Sequence, residues 1–153
     1  AERYDASGNW YPRNDPALTG EIGQWLAFAD GLTSTVSAAR LHAAFDYDVD
    51  ADACRAGAHR LLRILDENLW FAENEGRDWV CRASLPTVAD LACFPYVALS
   101  EEGGISRQDY PAIRRWCDRV KRIEGFTVMS GVFPAGPGQS MPARASGASM
   151  GGE

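Results

Sequence analysis

The run from Val88 to Leu99 constrains the fold more than any other part of the chain. Val88, Leu91, Ala92, Cys93, Phe94, Val97 and Ala98 leave it apolar on nearly every side. A helix that is hydrophobic all round has no face to offer water, so it sits at the centre of a core and the rest of the chain surrounds it. Its start is marked by Leu85 and Pro86, then by Thr87 and Asp90 at capping-box spacing. In that motif a hydroxyl accepts from a first-turn amide while the N3 side chain reaches back to the cap amide, Asp being a shorter variant of the usual Glu or Gln. Pro95 removes one internal hydrogen bond and is expected to bend the helix.

Three amphipathic segments are available to surround it. Asp15 and Pro16 form a helix start, with Asp as cap and Pro at the first helical position. Ile22, Trp25, Leu26, Ala29, Leu32, Thr33 and Val36 follow at helical spacing, and the pattern continues to Phe45, so this helix is long or broken once near Gly31. A second helix, from about Ala51 to Ala72, carries the stripe Cys54, Ala58, Leu61, Leu62, Leu65 and Leu69. Asp109, Tyr110 and Pro111 open the last helix, whose apolar face is Ile113, Trp116, Cys117, Val120 and Ile123. Its polar face holds Arg114, Arg115, Asp118, Arg119, Lys121 and Arg122. Gly125 ends it, and residues 126–133 are expected to pack a last turn. No segment alternates like a strand and no internal repeat is present, so the fold class is all-α, a helical bundle. Residues 1–15 read as a connector, 16–133 as the folded unit, and 134–153, rich in Gly, Pro, Ser and Ala, as a disordered tail.

Several chemistries are disfavoured. The formal charge is −6, against the basic balance of a nucleic-acid binder. The basic face of the last helix is expected to meet water. No stretch approaches the roughly 18 consecutive apolar residues of a membrane span. The acids at Asp46, Asp48, Asp50 and Asp52 resemble a calcium loop, but Ala51 and Gly57 stand where an EF-hand needs Gly and Glu. A loop ending in an Asp helix cap is the better reading. Cys54, Cys81, Cys93 and Cys117 contain no C-x-x-C pair, which disfavours zinc or a redox motif and suits reduced, mostly buried thiols in the cytoplasm. No metal site and no nucleophile–base pairing is recognisable, and no Gly-rich loop has phosphate-binding spacing. His59 is expected to be structural or exposed.

The ordered set Thr87, Asp90, Tyr110, Pro111, Ile113, Trp116, Arg119, Gly125 and Phe126 resembles the C-terminal helical domain of glutathione transferases. The family pattern there is Tyr/His-Pro, a hydrophobic residue, x-x-Trp, then Pro-Gly-Phe; Glu124 stands in place of that last Pro. Trp25, Leu26 and Phe28 are similar to the first helix of that domain, and the opening through Trp10, Tyr11 and Pro12 is similar to the end of a preceding domain and its linker. The resemblance covers about residues 1–133. It implies a chain lacking the thioredoxin-like N-terminal domain that binds glutathione and activates its thiol, so no catalytic residue is assigned here. It also implies a cytosolic, homodimeric detoxification enzyme that conjugates or converts a hydrophobic electrophile. Glutathione is then a co-substrate, with no other cofactor.

What the helical domain contributes, by the same resemblance, is the pocket for the electrophile. Leu32, Val36, Arg40 and Tyr96 are the candidate lining, each against an alternative as ordinary core or surface. Residues 41–45 are similar to the Leu-His-Lys-x-Phe stretch of bacterial beta-class members, with His42 matching and Ala43 replacing the Lys. His42 is therefore either a ligand contact or a half-exposed helix histidine. Trp25 and His42 lie 17 positions apart, several more than that class gives. The competing reading of the whole chain is a non-catalytic interaction module of the same fold.

Overall fold

A computed structural model describes Asp5 and residues 7–132. The first four residues and the tail expected at 134–153 lie outside the described residues. The helices are α1 (Pro16–Leu32), α2 (Ala38–Phe45), α3 (Ala51–Asn74), α4 (Val88–Ala98) and α5 (Pro111–Lys121). A π turn (Thr33–Ser37) joins α1 to α2, and a 3₁₀ turn (Ser100–Gly103) follows α4. No strand occurs among the described residues, and the all-α expectation is borne out.

The helix starts form for the reasons the side chains suggest. Asp15 accepts from Leu18 N–H at 3.0 Å, with Pro16 at the first helical position. Asp50 accepts from Ala53 N–H at 2.9 Å, so the acidic run before α3 is a loop ending in a cap. Helix α5 has no cap of its own. Asp66, reaching across from α3, accepts from Ile113 N–H at 2.9 Å and satisfies an amide that the helix cannot. Asp46 closes α2 in the left-handed region, at φ 55°.

Helix α4 is central but not enclosed. Ala89, Cys93 and Val97 are fully buried, and α1 packs along it, whereas Leu91 is 43% exposed. The expectation of a helix buried on every side is corrected there: one stripe of α4 is left open.

The capping box forms, and its carboxylate does more than cap. Asp90 accepts from Thr87 N–H at 2.9 Å, from Val80 N–H at 3.1 Å and from the Trp116 indole Nε1–H at 2.9 Å. One buried side chain thus ties the start of α4 to the loop before it and to α5. Burial pushes the Asp90 carboxyl up, against these donors, which favour the charged form. A second pin joins α3 to α5: His59 Nδ1 lies 2.8 Å from the Tyr110 hydroxyl, and the two rings stack. His59 is structural, as expected.

Candidate functional site

The site is built on the break in the first long helix. Thr33 donates its hydroxyl proton to the Ala29 carbonyl at 3.1 Å, and Ser34 and Thr35 donate to the Gly31 carbonyl at 3.0 and 2.7 Å. Three consecutive hydroxyls competing for helix carbonyls loosen the backbone ladder. A π turn takes up one extra residue, which rotates every following side chain by roughly 100° about the axis. One glycine seats this turn and another seats the start of α2. A Cβ at Gly57 on α3 would lie 2.9 Å from Thr35 Cγ2, and one at Gly103 would lie 3.0 Å from the Arg40 backbone nitrogen.

With the turn so placed, Val36, Ser37 and Arg40 face Pro95, Tyr96 and Leu99 of the α4 end across a small cavity of about 80 Å³. Its walls are apolar at Val36, Pro95 and Leu99. Ser37 and Tyr96 bring hydroxyls with no protein partner among the described residues. Arg40 stands at the rim, with its Nε donating to Glu102 in a half-exposed ion pair. Leu91, Pro95 and Leu99 fall on one stripe of α4, so the open strip at Leu91 continues from the cavity.

The structure therefore brings together Val36, Arg40 and Tyr96 of the expected residues. Leu32 has no exposed surface and belongs to the core. His42, two positions beyond Arg40, lies on another face of α2, where its Nδ1 donates to the Tyr47 carbonyl at 2.9 Å and ties down the turn after the helix. Ser37, Pro95 and Leu99 were missed. The signal that could have found them is the Thr33, Ser34, Thr35 run, which places the register change one turn before Ser37.

The three buried thiols are not poised as nucleophiles. Burial pushes Cys81, Cys93 and Cys117 up to about 12, although Thr87 hydrogen-bonds Cys81 and nearby cations oppose the shift at Cys117. Among the described residues no group of three or more His, Cys, Asp or Glu side chains could hold a metal ion. None of the described helices is long and apolar enough to cross a membrane.

No protein-family model matches the chain. It is 27% identical over 132 residues to glutathione S-transferase verG of Clonostachys rogersoniana, covering 82% of this chain and 54% of that protein. It is 25% identical over 125 residues to glutathione S-transferase aclG of Aspergillus oryzae, covering 78% and 54%. The chain spans about half the length of these curated relatives. A crystal structure of a glutathione S-transferase from Xanthobacter autotrophicus Py2 superposes with a TM-score of 0.69 at 23% identity, over 80% of this chain and 59% of that one. The resemblance carried by Thr87, Asp90, Trp116 and their neighbours is borne out: the chain is similar in sequence to glutathione S-transferases, and its all-helical fold is consistent with their C-terminal domain.

Proposed function

We propose that this chain supplies the electrophile-contacting half of a glutathione transferase. The observation that carries the reading is the cavity between the π turn and α4, apolar on one side and lined by the Ser37 and Tyr96 hydroxyls on the other. A reacting pair gains most from being held in register, and a half-open apolar cavity with two orienting hydroxyls is suited to position a hydrophobic electrophile. Its volume of about 80 Å³ admits one small apolar group. The exposed stripe at Leu91 is where a preceding thioredoxin-like domain would extend the wall. Glutathione is then held and its thiol activated by residues of that domain, and Arg40 stands near enough to the cavity to meet a ligand carboxylate. The compartment that fits four free cysteines is the cytosol.

The test is a fluorescence titration with S-benzylglutathione. The chain should bind it saturably, and Val36→Trp, which fills the cavity, should weaken binding by about tenfold or more. Equal affinity in the variant would overturn the reading.

One observation favours the competing role as an interaction module. Ile64, Trp70 and Phe71 are each about half exposed on α3, beyond the cavity. The same side chains suit the partner face of a homodimer, so both roles share this surface. Self-association abolished by a Trp70→Ser, Phe71→Ser double variant that still binds S-benzylglutathione assigns the face to a dimer. Saturable self-association in a wild-type chain that binds no S-benzylglutathione favours the module instead.

A further inference from the structure

The basic face of α5 is not one surface. Arg115 and Arg119 are committed to Glu73 of α3: Arg115 Nε lies 3.1 Å from Oε1 and 3.0 Å from Oε2, and Arg119 Nη1 lies 2.8 Å from Oε1. The other basic stripe turns the opposite way. Arg114, Cys117, Asp118 and Lys121 follow one another at i, i+3, i+4 and i+7, and so share one side of the helix. Against that side stands the segment after α4, which brings Glu101, Arg107 and Gln108. Together they line a half-open polar cavity of about 330 Å³, in the lower range of small-molecule sites.

The charges in this cavity do not cancel. Arg107 is fixed in place: its Nη1 donates to the Ala98 carbonyl and, at 2.8 Å, to the Val97 carbonyl, while Nη2 lies 3.4 Å from Glu101. Lys121 lies 3.5 Å from Asp118, with 17% of its side chain exposed. Both pairs are loose ion pairs rather than close hydrogen bonds. Arg114 completes the set and has no ion-pair partner among the described residues. One positive charge is therefore left over, in a chain whose formal net charge is −6. The guanidinium fork suits a carboxylate or phosphate, and the anchored Arg107 loses little freedom on meeting one. Gln108 offers a neutral hydrogen-bonding side, and the nearly buried Cys117 forms an uncharged floor.

We propose that this cavity is a second ligand site, specific for a small organic anion with a single carboxylate or phosphate head. It is separate from the cavity at Val36 and Tyr96. The neighbours Glu101 and Glu102 illustrate the division, Glu101 lining the one while Glu102 pairs with Arg40 at the rim of the other.

The experiment is an amide NMR titration of the chain with benzoate, phenyl phosphate and uncharged benzamide, at fixed ionic strength. Benzoate or phenyl phosphate should shift amides of residues 107–121 saturably, the stronger of the two naming the head group, and benzamide should not. Arg114→Gln should weaken binding by about tenfold, whereas Arg82→Gln, an exposed charge elsewhere, should leave it unchanged. Arg114 is exposed, so that variant keeps the fold, which circular dichroism verifies. The proposal is overturned by benzamide matching the anions, by an Arg114→Gln variant with unchanged affinity, or by the absence of any saturable shift at tens of millimolar. None of these outcomes bears on S-benzylglutathione binding at the first cavity.

Discussion

Replacing Asp90 by alanine should cost much more than the loss of a helix cap. A cap alone is worth about 1 kcal/mol, up to about 2. Asp90 is fully buried and accepts from three N–H groups, of which only the one on Thr87 belongs to the cap. The others, on Val80 and Trp116, come from the preceding loop and from α5. Alanine leaves both unpaired in the interior, each at about 1–3 kcal/mol. Partial relaxation keeps the total below the sum, on the order of 3–5 kcal/mol against the 5–15 kcal/mol typical of a whole domain. Urea unfolding followed by circular dichroism at 222 nm measures it, with the slope of the transition checked for constancy. Asp90→Asn keeps one acceptor oxygen and should fall between wild type and alanine, which preserves a measurement if the alanine variant does not fold. A loss of about 2 kcal/mol or less for Asp90→Ala would refute the reasoning and reduce Asp90 to an ordinary cap.

Three other outcomes follow from the same contacts. Gly103→Ala drives a methyl against the backbone of Ala39 and Arg40 and should destabilise the chain by about 1–3 kcal/mol, detectable as a lower urea midpoint. In a thiol count with Ellman's reagent under native conditions, the half-buried Cys54 should react while Cys81, Cys93 and Cys117 wait for unfolding. Burial raises the Glu73 carboxyl, but hydrogen bonds and charge from Arg115 and Arg119 outweigh it and hold the group below 4.5. A carboxyl depressed in the folded state stabilises fully above its unfolded value and loses that contribution as pH falls through its folded value. Glu73→Gln should therefore lower the melting temperature at neutral pH, and the gap to wild type should close as the pH drops below about 4.5.

The helices were legible where a local rule sets them. Asp15, Asp50 and Thr87 cap their own first turns, and the stripe Leu62, Leu65, Leu69 is buried as its period requires. Non-local features were not legible. The partner that caps α5 is Asp66, 47 positions away from Ile113 in sequence. Leu91 reads as core because its neighbours do, yet the face it occupies has no cover among the described residues. The cavity was half legible. Val36, Arg40 and Tyr96 followed from a resemblance, but the π turn that aims them depends on hydroxyls choosing carbonyls and on a glycine from another element. His42 illustrates the cost of carrying a short motif across that turn: its neighbour in space is the Tyr47 carbonyl rather than the cavity.

The central claim is that this chain offers the hydrophobic half of a glutathione transferase site and leaves glutathione itself to another domain. The most direct measurement is a pair of amide NMR titrations, one with glutathione and one with S-benzylglutathione. Glutathione alone should produce no saturable change at the α2–α4 cavity. S-benzylglutathione should shift Val36, Ser37, Arg40, Tyr96 and Leu99 together. Equal shifts with both ligands, or shifts centred away from these residues, would contradict the account.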